Sequence, residues 1–337
     1  MHKAAKVALG CLLAPVGLLV LSVIFFAGLH MAGVPDADQT STSLEQALPA
    51  AETQLVRSDG PVDDSLGVAA GELSQEKIVL VDLDLSEGAF TIIPGPAAEG
   101  IRVEADYDQG SYKLEQKYDF EGGRPRYRLR FGSTISFWRR IADDGSITDE
   151  ELEKNQITVQ LPRDTPMNLT LKMGIAQADI ELDGLALNEL IADFKMGEFN
   201  VSTKELNPIA MQRVELCGRM GEMSFEGVSY LRAATVLSSC AMGEVLLDLG
   251  GPLTRDTEII AKMRMGEMRL NLPAAARWDS ESRFSAQWGE INGAREGIEN
   301  AAEDAALLSV DAAVFMGEMT LNRYRVRDTD LRRPKRD

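Results

Sequence analysis

Between residues 169 and 322 apolar and polar positions alternate in short runs, and the alternation restarts seven times around one phrase of Met, Gly and Glu. The phrase is centred on Met173, Met196, Met220, Met242, Met265, Trp288 and Met316, with spacings of 23, 24, 22, 23, 23 and 28 residues. Two residues before each centre stand Leu171, Phe194, Gly218, Cys240, Met263, Ala286 and Val314, mostly apolar or small. One residue before stand Lys172, Lys195, Arg219, Ala241, Arg264, Gln287 and Phe315, mostly basic or polar. That is the period of a strand with one buried face. Apolar residues return three and five places after the centre, as in Met223/Phe225, Val245/Leu247 and Met268/Leu270. The apolar phase therefore slips by one residue, and the slip is read at the glycine, as a bulge or corner.

A near-constant period of this length is the mark of stacked repeats. Two or three short strands in about 23 residues predict a mainly β fold, one coil of a β-solenoid per repeat. Seven coils at about 4.8 Å predict a rod of roughly 30 Å. A leucine-rich horseshoe is less suitable because its Leu and Asn spacing is missing. Helical repeats are excluded because no repeat carries a useful 3.6-residue stripe. In this reading the repeat centres form an internal column of Met with one Trp, filling the core. Buried thioethers without His or Cys neighbours give no metal site, and no cofactor is expected.

Alternating runs at 79–85, 89–93, 101–107, 112–118, 126–131 and 157–162 predict opening strands or a cap for the same stack. The expected organisation is an anchor at 1–33, an acidic tether at 34–75, and cap strands at 76–162 with an acidic insertion at 132–156. Regular repeats at 163–322 and a basic tail at 323–337 complete it. Residues 7–28 are uncharged and apolar, long enough to span a bilayer. Lys3 and Lys6 before them, with Asp36 and Asp38 after, predict a cytoplasmic N-terminus and an external body. A cleaved signal peptide would carry a shorter apolar run. Asp144, Gly145, Ser146 and Glu151 imitate half of a calcium loop, but Arg140 and Ala142 stand where carboxylates are needed. Thr148 and Glu151 read instead as a helix capping box. Residues 291–306 interrupt the last repeat and account for its longer spacing.

The net charge of −18 argues against nucleic acid as a partner. The two histidines, His2 and His30, both precede the tether, so the body has no imidazole for acid–base or triad chemistry. Cys217 and Cys240 would lie on adjacent coils, but their offsets from the centre differ by one, which points them to opposite faces. Glu198, Glu222, Glu244, Glu267, Glu290 and Glu318 repeat two places after the centre as a candidate binding ladder of exposed carboxylates. Lys172, Lys195, Arg219 and Arg264 form a partial cationic column beside them. The ladder reads either as a solvated face or as a strip for cations, basic peptide or glycan. No pair is placed as a catalytic dyad, and no catalytic residue is assigned.

The layout of apolar N-terminal helix, the runs at 79–95 and 101–107, the run at 157–185, and glycine-punctuated strands resembles the bacterial "putative adhesin" or "toastrack" domain over residues 78–322. That resemblance implies a β-solenoid, not an enzyme, acting at the cell envelope through contacts with an envelope protein or glycan, with homo-oligomerisation left open. The expected function is an outward-facing, single-pass binding or scaffold module. The alternative is a carboxylate-dependent polysaccharide hydrolase or lyase on a β-helix, which would need its carboxylates clustered in one groove.

Overall fold

In the computed structural model, parallel strands are stacked so that the same position of each repeat meets the same position of the next. The structure describes residues 41–47 (backbone path), 78–96, 100–134, 152, 154–273, 276–293 and 305–324. Residues 7–28, most of the acidic insertion, and the tail beyond Tyr324 lie outside the described residues. Among the described residues no helix is long and apolar enough to cross a membrane.

Among the described residues the alternating runs form one mainly β, open sheet of 14 strands. Its spine is β2 (Val79–Gly95), β7 (Met167–Glu181), β8 (Leu187–Ser202), β9 (Arg213–Glu226), β10 (Thr235–Asp248), β11 (Thr257–Pro273) and β14 (Leu307–Tyr324). All neighbours along this spine are parallel. From β8 to β11 the register advances by 24, 22 and 23 residues at the repeat centre (Met196, Met220, Met242, Met265). Buried side chains from every strand of the spine join one continuous apolar cluster. Each strand bends, so its two arms face one another. Across the bend of β8 the Phe194 and Phe199 rings stack at 4.3 Å.

The chain does not stack in simple sequence order at either end. β5 (Arg124–Ser133) pairs with the first arm of β2, and β6 (Gln156–Pro162) with its second arm. β2 is thus enclosed between β7 and a layer made of strands later in the sequence. Two antiparallel flaps, β4 (Tyr112–Glu121) on β5 and β3 (Arg102–Asp108) on β6, extend this end. The backbone of β1 (Ser41–Ala47), inside the stretch read as a tether, pairs antiparallel with β3. At the other end β12 (Arg277–Trp278) and β13 (Arg283–Gly293) both pair with β14. Met265 therefore meets Met316, and Met316 meets Trp288, which corrects the expected order. The reason is burial. β14 turns Leu308, Val310, Ala312, Val314, Met319 and Leu321 inward, each at most 4% exposed, whereas no residue of β13 is buried. The strand with the fuller apolar face takes the inner place.

The first phrase is also out of step. Met173 pairs with Phe194, and it is Ile175 that meets Met196. Met173 thus belongs with the inward residues two places before the centre and is 1% exposed. Lys172 faces Asp193 and leaves the expected cationic column.

At the bends, Gly197, Gly221, Gly243, Gly266 and Gly317 have φ between +125° and +133°. A Cβ at any of them would lie 1.8–2.0 Å from the carbonyl oxygen of the strand below. Both the left-handed backbone and the missing space demand glycine here. Gly243→Ala, with φ +131° and a carbonyl at 1.8 Å, is expected to cost about 3 kcal/mol or more. Met242→Ala, one residue away, should cost about 0.5 kcal/mol. Thermal unfolding of the two variants checks the contrast, and equal melting points would contradict the close approach.

Candidate functional site

The bend of each strand projects a short run of side chains outward, and stacking turns each position into a column. The residues two before the centre (Phe194, Cys240, Met263, Val314) and three after it (Phe199, Met223, Val245, Met268, Met319) are buried. These inward positions are offset by five along the chain. Strict alternation would require an even number, so one residue is extra. The ladder pairing skips the residue just before the centre, as in Cys240–Met263 followed directly by Met242–Met265. The extra residue sits there, and the centre itself turns outward with it. The glycine between centre and glutamate has no side chain, and a Cβ on it would point at the carbonyl of the neighbouring strand.

This overturns the internal methionine column. Met196, Met220, Met242, Met265 and Met316 are 38–45% exposed, and Trp288 is 67% exposed. They remain in register, in the order Met196, Met220, Met242, Met265, Met316, Trp288, with Ile175 ahead of them. The row is a ridge along the outer corner of the stack. The odd spacing alone did not reveal its outward character, because a slip before the centre satisfies that spacing as well as a slip at the glycine.

Beside the ridge run the six glutamates, in the order Glu198, Glu222, Glu244, Glu267, Glu318, Glu290. The structure brings all six sequence-predicted residues into one column. Adjacent carboxylates about 4.8 Å apart in water repel by roughly 1 kcal/mol. Local donors offset this. Asn200 Nδ2 donates to Glu198 at 3.2 Å, and Arg269 Nε donates to Glu267 at 2.5 Å. Asn292 Nδ2 and Thr320 Oγ1 donate to Glu318 at 2.6 and 3.3 Å. Glu267 holds the Arg269 guanidinium above its ordinary pKa, first through that hydrogen bond. Glu222, Glu244, Glu267, Ser224, Leu246 and Arg269 line a shallow groove of about 160 Å³.

On the other flank lies the column of Lys195, Arg219, Ala241, Arg264, Phe315 and Gln287. Past it an open trough of about 910 Å³ runs over Ser239, Ala241, Lys262, Arg264, Ala313 and Phe315. The two cysteines keep their expected faces. Cys217 pairs with Ser239 and accepts its hydroxyl at 3.4 Å, while Cys240 pairs with Gly218 and is buried. Both are free thiols, and burial pushes the Cys240 thiol above its ordinary pKa, which keeps it protonated and unreactive. Among the described residues no three His, Cys, Asp or Glu side chains converge on a metal position.

A second polar face lies at the cap. Arg126 bridges Asp82 at 2.5 Å and also Glu121, while Arg128 joins Asp119, and Arg130 stands 3.6 Å from Asp84. Asp82, Asp84, Arg126, Arg128 and Arg130, with Lys117 and Lys172, line a groove of about 340 Å³. The arginines are matched by carboxylates, so the face ties the β4–β5 flap to β2.

Residues 57–208 match the model described as the N-terminal domain of toast_rack. That segment is similar to the toast_rack family. Two solved structures match most of the chain's length. One is described as a "putative cell adhesion protein" from Clostridium sporogenes, at 11% identity, 85% coverage of this chain, 100% of that one, and a TM-score of 0.38. The other is described as a "putative adhesin" from Bacteroides fragilis, at 11% identity, 87% and 100% coverage, and a TM-score of 0.35. No curated protein matches the chain.

The ridge and the core make opposite demands on one residue type. Met242→Asp is expected to cost only about 1 kcal/mol, mainly repulsion from the glutamate column. Met263→Asp would bury an unpaired carboxylate at a 3% exposed position and should cost more than about 4 kcal/mol. Denaturant melts of the two variants test the assignment, and unfolding of the Met242 variant would return the ridge to the core.

Proposed function

We propose that this chain, similar over residues 57–208 to the N-terminal domain of toast_rack, is a non-enzymatic binding or scaffold module of the bacterial envelope. It is a β-solenoid held by its N-terminal helix and presenting its outer corner to a partner. The observation that carries the reading is the column of six in-register glutamates beside a ridge of exposed thioethers. The carboxylates are spread evenly along the stack, as suits an extended contact. A hydrolase would instead gather two of them in a cleft. The exposed Met side chains adapt to varied surfaces, and Trp288 at the end of the row offers an aromatic anchor. The partner is an envelope protein or glycan bearing basic or cationic groups along an extended contact.

Replacing Glu222, Glu244 and Glu267 together by Gln should reduce recovery of crosslinked partners from native membranes several-fold, with the melting temperature changed by no more than a few degrees. Undiminished recovery would reduce the column to a solvated face. The anchor makes its own prediction. The full chain should stay with the membrane pellet through alkaline carbonate, and protease added outside the cell should reach the body. Release into the supernatant would remove the single-pass placement.

A further inference from the structure

The ridge has a chemistry that partner docking does not use. Five consecutive rungs present a thioether, and a corner that needed mere apolar cover could carry Leu or Ile, as the Ile175 rung does. Sulfur differs from those residues in being a soft metal donor. We propose that the methionine ridge binds soft monovalent cations, Cu(I) in the cell, at sites made by thioethers of neighbouring rungs and centred on Met220, Met242 and Met265.

Three observations support the assignment. Spacing is the first. Parallel strands lie about 4.8 Å apart. Two sulfurs bound to one ion at about 2.3 Å, the length zinc makes to sulfur, are at most about 4.6 Å apart. Neighbouring rungs therefore match the span of one ion, and the unbranched Met side chain, with three rotatable bonds, takes up the difference. Exposure is the second. These side chains are 38–45% exposed, so an ion reaches them without opening the core.

Charge is the third. Each Met is followed two residues later by Glu, and the six carboxylates raise the local concentration of cations. Their compensation is uneven. The Met220 rung carries Arg219, and the Met265 rung carries Arg264 and Arg269. The Met242 rung carries Ala241, Glu244 and Leu246, with no cation of its own. The carboxylate beside the middle thioether is thus compensated from the neighbouring rung, by Arg269. Binding adds a cation without moving an electron, and it needs no protein partner, so it stands or falls apart from the proposed function.

The test uses the full chain in detergent with Cys11, Cys217 and Cys240 replaced by Ala, so that thiols contribute nothing. Silver(I) is titrated as an air-stable probe, and Cu(I) is titrated anaerobically against a chromogenic chelator, with methyl-labelled Met observed by NMR. Saturable binding is expected, with shifts of the Met220, Met242 and Met265 methyls and none at buried Met173, Met263, Met268 or Met319. Met220→Leu, Met242→Leu and Met265→Leu together keep the apolar cover and should weaken binding at least tenfold. Glu222→Gln, Glu244→Gln and Glu267→Gln together should weaken it a few-fold while the methyl shifts persist. Affinity within twofold of the parent in the Leu variant would overturn the proposal. So would binding that only the Gln variant abolishes, since carboxylates would then be the ligands, or ridge methyls that move only with a partner present.

Discussion

Where successive strands bend, the backbone of one lies against the carbonyl of the next, with no space for a Cβ between them. Five stacked glycines meet this condition, each with a carbonyl 1.8–2.0 Å from where a Cβ would stand. Their positive φ turns the chain sharply enough for the two arms to share one core. Because the glycines must superpose, every residue near them superposes as well. Columns of like side chains on the outer corner follow from that constraint. The chemistry of the surface is therefore one-dimensional, with thioethers, carboxylates and a broken line of cations running side by side along the stacking axis.

Much of this was legible in the chain. On the spine strands the apolar side chains two before and three and five after the repeat centre are buried where alternation placed them. The glutamates align, and the two cysteines face opposite ways, because register is set by counting residues. The place of the phase slip was not legible. A glycine has no side chain to place in or out, so a slip before the centre and a slip at the glycine leave the same apolar residues inside. The choice between them is made by backbone packing, and it decides whether Met242 is core or surface. Nor did spelling reveal register. The Lys172-Met173-Gly174 phrase copies its successors but sits two residues out of step, since the strand is aligned by Leu169, Leu171 and Ala178 entering the core. The exchange of β13 and β14 was hidden for a related reason: it is settled by competition between two strands for one buried place.

The two ends of the stack are finished differently. At the cap, antiparallel flaps cover the first layer, and the arginines of β5 lie against Asp82, Asp84, Asp119 and Glu121. Interspersed charge on a flap also discourages pairing with foreign strands. At the other end the final layer is β12 and β13, with Arg323 4.7 Å over the Trp278 ring. Phe284 and Ile291 there pack only partly against the core. The ridge runs between these ends, so its length is set by the number of layers. A partner or ion sees a repeated pitch of about 4.8 Å.

That arrangement separates stability from recognition within a single repeat. Met263 and Met265 are two residues apart, one 3% and the other 38% exposed, and Met268 three residues further on is again buried. The buried thioethers act as adaptable filler whose loss would leave a cavity. The outer ones contribute little to the core, so their identity is free to answer to whatever meets the corner. Glycine holds this division in place. It fixes the bend that sends one methionine in and the next one out. Side chains along the ridge can then be exchanged with small effect on folding, while the backbone beneath them tolerates almost no change.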